Sequence, residues 1–261
     1  MTLQQSSNTP TQAQNLYLMA ANHLKGVLKE ADSEVAIGYL EQASELGLCE
    51  AQYQLGVIYA EGTLRPRDLK YAQQQFGVAA EQGFVPAKFA LATLHAEFDE
   101  YEKSFELFKE LADSDVTEAQ TNLANMYLLG LGTEKDVNTA IYYLTKAAEK
   151  GDRLARYRLG EIYYRGDDVV SNYLLARQYV VQAMEQKYLP AYLIMASMLE
   201  HGYGITQDVV RAYSLYRFCQ QYGMPGLSEL MSDILSNLEP LDAERAKALA
   251  EEYCNHEPIP V

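Results

Sequence analysis

The sequence predicts an all-α protein, a right-handed α-α superhelix of about six and a half helix-loop-helix repeats of 36 residues. A phrase made of a small residue, Leu or Met at +4, a small residue at +5 and usually Gly at +11 recurs along the chain. It starts near Asn15, Ala51, Ala87, Ala119, Ala155, Ala191 and Leu227, at spacings of 36, 36, 32, 36, 36 and 36. A second phrase opens at Ala36, Ala72, Ser104, Ala140, Ala176, Ala212 and Ala248 and carries the same four-residue deletion. A fixed period of this size is the signature of a solenoid, in which each unit buries its apolar face against its neighbours.

The first phrase reads as a helix. Positions 0, +4, +5 and +8 fall on one side of a 3.6-residue period. Gly56 and Gly160 stand at +5, where other units carry Ala20, Ala92, Ala124 and Ala196. Glycine inside a helix costs about 0.5–1 kcal/mol relative to alanine, so its use there predicts a close helix–helix approach. Tyr59, Tyr127 and Tyr163 at +8 are expected to fill the next layer. Gly26, Gly62, Gly130, Gly166 and Gly202 are placed to end this helix in the left-handed conformation. Six residues later Asp32, Asp68, Asp136, Asn172 or Asp208 supplies the N-cap of the second helix. Ala43, Ala79, Ala147 and Ala183 mark that helix's inward stripe, and Gly47, Gly83, Gly151 and Gly223 close it. The unit from Ala87 has Phe98 in place of the terminal Gly, and Asp99 and Glu100 predict a tighter connection there. The unit from Leu227 has Leu238 and Pro240 where Gly is expected; its second helix is expected to be cut short, as a cap. These signals delimit a single solenoid domain over 13–254, with a disordered tail over 1–12 and a flexible one over 255–261.

Ala51–Gly62 and Ala140–Gly151 carry the patterns A-x-x-x-L-G-x-x-Y-x-x-G and A-x-x-Y-x-x-x-A-A-x-x-G. In these patterns the chain resembles the Sel-one-like repeat (SLR) family of tetratricopeptide-like α-solenoids, over roughly residues 13 to 254. The resemblance implies an adaptor or scaffold, often bacterial.

Composition narrows the partner. With 21 basic against 36 acidic side chains the net charge is −15. That opposes nucleic-acid binding, which needs clustered Lys and Arg, and attraction to anionic membranes. A basic protein partner suits it. No 18-residue apolar run predicts a bilayer span, and the polar start Met1–Pro10 does not read as a secretory signal. Cys49, Cys219 and Cys254 cannot all pair, and reduced thiols predict a cytoplasmic setting. Cys219 falls on the inward stripe and is expected to be buried.

Chemistry is not legible. His23, His95, His201 and His256 are scattered, without the spacing of a metal site, and His23 and His95 occupy the +8 packing position. Gly130-Leu-Gly132 and Gly202-Tyr-Gly204 follow no strand and read as helix-ending loops, not phosphate cradles. No catalytic residue, metal or cofactor is predicted, and oligomeric state is not readable.

In tetratricopeptide-like solenoids the first helices line the concave side, at positions +2, +6, +9 and +10. These positions nominate Tyr53, Phe89, Asn125, Tyr157, Glu161, Tyr164, Arg165, Leu193 and His201, with Leu128 and Leu129 beside them. Aromatic residues and Arg are common interface anchors. The expectation is a non-enzymatic scaffold that holds a protein or peptide in its concave groove. The alternative is an immunity or inhibitor protein that neutralises a toxin or effector enzyme, a use that the family resemblance also brings in.

Overall fold

The computed structural model describes residues 11–25 and 30–256; Gly26, the first ten residues and residues 257–261 lie outside that range. Fourteen α-helices and no strand are present among the described residues. They are α1 Gln12–Lys25, α2 Glu30–Glu45, α3 Cys49–Glu61, α4 Leu69–Glu81, α5 Val85–Glu97, α6 Tyr101–Asp113 and α7 Thr117–Leu129. Then follow α8 Val137–Glu149, α9 Arg153–Arg165, α10 Tyr173–Glu185, α11 Leu189–His201, α12 Val209–Gln221, α13 Ser228–Asn237 and α14 Pro240–Asn255. The described residues form two compact units: those up to 114 with 131–133, and 115–130 with 134–256.

Small residues set the spacing inside each unit. Ala51, Ala87, Ala119, Ala155 and Ala191 on the first helices are fully buried, as are Ala36, Ala72, Ser104, Ala140, Ala176 and Ala212 on the second. Position +7 is also buried, as Ile58, Leu94, Met126 and Met198. The two glycines at +5 sit where a side chain would collide. A Cβ on Gly56 would lie 2.5 Å from the Phe76 ring, and one on Gly160 would lie 2.8 Å from Val180 Cγ2. Tyr127 and Tyr163 at +8 stack on Tyr143 and Tyr179, with interplanar angles of 9° in both pairs.

The loops are fixed by backbone chemistry. Gly62, Gly130, Gly166 and Gly202 adopt the left-handed conformation after α3, α7, α9 and α11. Asp68, Asp136, Asn172 and Asp208 cap α4, α8, α10 and α12 by accepting backbone N–H bonds. Their own N–H groups donate to the carbonyls of Tyr59, Tyr127, Tyr163 and Leu199 at 2.8–3.0 Å, which ties each loop back to the first helix. The second glycine of each Gly-x-Gly answers a close approach. A Cβ on Gly132 would collide with the Tyr101 carbonyl oxygen, and one on Gly204 would lie 2.7 Å from that of Tyr173.

The deletion falls where the two phrases place it. Only Phe98, Asp99 and Glu100 join α5 to α6, against seven residues in the regular units, and Asp99 takes a φ of 59° to make the turn. Cys219 is fully buried, which pushes its thiol up to about 12. His95 is buried, with Nδ1 2.5 Å from Glu100 Oε2 and 3.4 Å from Gln73 Nε2. His23 is more open, beside Tyr39 and 3.8 Å from Asp32.

Four expectations are corrected, all of them in the end units. Asp32 does not cap α2; the helix already includes it. Asn15 and Met19 are exposed, while Ala13 and Ala20 make the buried stripe. The last second helix is not cut short: α14 spans 16 residues, and the short one is α13 with 10. Pro240 sits in its first turn, where the missing N–H has no intrahelical acceptor to lose. Ala248 is exposed, whereas Ala246 and Ala250 are buried and the Ala246 carbonyl accepts from Ser214 Oγ at 3.2 Å. With no further helix to cover it, a terminal helix can rotate away from the repeat register. Inside the array, Thr121 at +2 of α7 is buried and donates to Asp152 Oδ1 at 3.1 Å, so it offers nothing to a partner.

Gly160→Val should lower the urea or thermal unfolding midpoint by an overpacking cost of about 1–3 kcal/mol. Gly77→Ala on α4, where a Cβ meets nothing within 4 Å, should raise it by about 0.5–1 kcal/mol. Parallel denaturation of the two variants checks both signs.

Candidate functional site

The nominated residues divide between the two units. In the first, Tyr53 packs on Phe76 and Phe84 at 5.7 and 5.6 Å between ring centroids, and Phe89 packs edge-on against Phe108 at 5.3 Å. Both are committed to local packing. The second unit brings together Tyr157, Glu161, Tyr164 and Arg165 on one face of α9, with Asn125 on α7 and Leu193 and His201 on α11.

Glu161 is the hub. Its side chain is only 18 % exposed. It accepts from Arg158 Nη1 at 2.9 Å and from the Tyr157 hydroxyl at 3.3 Å, and lies 3.4 Å from Arg165 Nη2. Tyr157 leans on Tyr188 at 5.1 Å, and burial, helped by the Glu161 charge, pushes its hydroxyl up to about 12. Arg165 is 62 % exposed beyond its contact with Glu161. The Tyr164 hydroxyl is 2.7 Å from Ser197 Oγ, which pins α9 to α11.

A column of rings lies at the end of this face. Tyr173 stacks on Tyr203 at 4.7 Å and 7°, and His201 stacks on Tyr203 at 5.3 Å and 15°. Tyr164 meets both tyrosines at 6.1 and 6.3 Å. Beside it Tyr216 donates to Glu200 at 2.8 Å; burial first, and this bond second, hold its hydroxyl far above the ordinary range. Leu193 contributes to the apolar core below, and Leu129 at the end of α7 stays 70 % exposed.

A cavity of about 140 Å³ opens at the C-terminal end of α9. Leu128, Val137 and Ile162 give it apolar walls, and Glu161, Arg165, Asp167 and Asp168 give it charged ones. Asp168 accepts from Lys135 Nζ at 2.7 Å. Asp167, Asp168, Tyr173 and Tyr203 were missed in the sequence because they lie outside the first helix. The available signal was the Asp167–Asp168 pair, since Thr63–Leu64, Leu131–Gly132 and Tyr203–Gly204 stand at the matching loop positions. No cluster of His, Cys, Asp or Glu that could hold a metal occurs among the described residues. No helix among them is long and apolar enough to cross a membrane.

Stacked helix-loop-helix units with an aromatic, partly charged face on the first helices define an α-solenoid repeat protein. The Sel1 repeat profile matches residues 10–48, 49–84, 117–152, 153–188 and 189–218, and the chain belongs to the Sel1 repeat family. The matches skip the shortened unit and the last one, where the repeat departs from its pattern. The chain is 30% identical over 227 residues to an uncharacterized protein of Neisseria meningitidis serogroup B, covering 83% of this chain and 48% of that protein. It is 24% identical over 251 residues to chitin synthase regulatory factor 3 of Schizosaccharomyces pombe, covering 91% of this chain and 27% of that one. The chain thus spans about half or less of the length of these relatives. Its fold is similar to the crystal structure of a protective antigen of uropathogenic Escherichia coli that displays an SLR fold. The TM-score there is 0.80 at 23% identity, over 93% of this chain and 53% of that one. Sel1 repeat proteins are generally protein-interaction scaffolds.

An acidic group whose folded pKa is raised keeps its proton while the unfolded chain loses it, so stability falls as pH rises between the two values. For Tyr157 that window runs from about 10, the unfolded value, to about 12. Tyr157→Phe should therefore lose less of its thermal midpoint than wild type between pH 10 and 12, and an identical loss would contradict the assignment.

Proposed function

We propose that this protein is a non-catalytic scaffold that binds a protein or an extended peptide along the first-helix face of its second unit. One observation supports this most. The +6, +9 and +10 positions of α7, α9 and α11, which the buried core does not need, carry Glu161, Tyr164, Arg165, Leu128, Leu129 and His201 as a continuous patch. Leu129 and Arg165 are exposed there without a packing role. Rigid rings at the surface bury large areas at small entropy cost, which suits a protein partner. The net charge of −15 and the carboxylates at the end of α9 favour a basic partner. Three unpaired cysteines suit a reducing, cytoplasmic compartment. A relative named as a chitin synthase regulatory factor is in keeping with a role exerted on other proteins.

Quantitative affinity capture from the source cell, comparing wild type with a Tyr157→Ala, Leu129→Asp variant of unchanged helicity, tests this reading. A specific partner should fall at least about tenfold in recovery, a loss of roughly 1.4 kcal/mol. Equal recovery by both proteins would remove the face from consideration. A captured enzyme whose activity drops on binding would mark an inhibitor in place of a scaffold.

A further inference from the structure

We propose that α13 is a removable strap: it lifts away while α14 stays on α12, and the apolar groove it leaves takes an amphipathic helix of a partner protein. This second site does not draw on the α9 patch. In α13 the close approach that joins the regular pairs is missing. At +5, where those units bury Ala or Gly, α13 carries Ser232, and it is exposed. Of its ten residues only Met231 and Ile234 are buried. Leu227 at its N-cap makes no side-chain cap bond, and Leu238 at its C-cap is extended. Among the described residues one hydrogen bond, from Gln220 Nε2 to Ser228 Oγ at 2.7 Å, joins it to another helix. By contrast, α14 packs along α12 as closely as the paired helices of regular units do. Ser214 Oγ donates to the Ala246 carbonyl at 3.2 Å and Gln221 Nε2 to that of Cys254 at 3.1 Å, with Ala246 and Ala250 buried between. The chain can therefore release α13 and keep α14. Gly223 and Gly226, at φ 88° and 82° on either side of Met224 and Pro225, give the strap its hinge.

What α13 covers shows what would replace it. Met231 and Ile234 belong to the apolar cluster that holds Tyr192 of α11 and Leu215 and Phe218 of α12, and Leu227, Leu230, Leu235 and Leu238 pack at its edge. These six side chains of the strap fall at i, i+3, i+4, i+7, i+8 and i+11, the stripe with which an amphipathic helix lies in a groove. A helix of ten residues is marginal in water by itself, so α13 melts when it lifts and only the stripe holds it down. A partner helix with the same stripe, but longer or better capped, binds the groove at a smaller ordering cost.

Amide hydrogen exchange of the full-length protein tests the strap. Protection in α13 should be about a hundredfold over the free chain, against at least about ten-thousandfold in α12 and α14. Equal protection in the three helices would overturn the proposal. Gly226→Ala, where a Cβ meets nothing within 4 Å and only the left-handed backbone is strained, should speed exchange in α13 alone by about fivefold to tenfold. Faster exchange in α12 and α14 as well would make α13 part of the core. The groove is tested with a labelled synthetic peptide of residues 226–239, added to a Met231→Asp, Ile234→Asp variant of the whole chain. With one molecule in about a hundred open and an effective concentration near 1 mM for the tethered strap, the peptide should bind at about 10 μM. It should bind wild type at least about tenfold more weakly, because α13 competes in cis. No saturable binding to the variant, equal binding by a peptide with the same two substitutions, or loss of protection in α12 and α14 of the variant would each overturn the groove.

Discussion

Close approach of paired helices through small side chains is the constraint on which everything else in this protein depends. Alanine opens both helices of every regular unit, and each of these alanines is fully buried. Where the approach is tightest even a methyl group is too large, as at Gly56 against Phe76 and Gly160 against Val180. Interiors pack to crystal-like density, so such contacts leave no room for variation. Long side chains share the seam with small ones: Phe76 lies against Gly56, and Leu159 is buried beside Gly160. Other rings stack on one another, as the Tyr127–Tyr143 and Tyr163–Tyr179 pairs.

That division separates packing from outward positions within one helix. On α9, Ala155, Leu159 and Gly160 belong to the seam, while Tyr157, Glu161, Tyr164 and Arg165 point away from it. The seam residues cannot change without loss of packing. The others are held by one another, by Arg158 and by Tyr188, Ser197 and Tyr203. A glycine ends the first helix and an Asp or Asn starts the second; between them Leu64 and Ile205 pack on the core, and other positions differ from unit to unit. Asp167, Asp168 and Tyr203 all lie in that interval.

Repetition also explains where the pattern fails. An internal helix has a neighbour on each side, and its register is fixed twice. A terminal helix is fixed once. Asn15 and Met19 at one end, and Ala248 at the other, leave the buried stripe for this reason. Pro240 misled for a different reason: a proline reads as a breaker inside a helix, but in the first turn it is compatible with the helix it begins.

The sequence by itself determined the repeat, the helix pairs, the four-residue deletion at Phe98–Glu100, the glycine and Asp or Asn caps, and the burial of Cys219. These are local or strictly periodic properties, written in spacing and in the conformational preferences of single residues. Only the tertiary structure decided which of the outward side chains remain available. Thr121 is consumed by Asp152, 31 residues on, and Tyr164 is pinned to Ser197, 33 residues on. The cavity that joins Leu128 and Val137 to Glu161, Asp167 and Asp168 draws on two successive repeats. Such pairings depend on how one unit stacks upon the next, a distance and rotation that no pattern within a single repeat encodes.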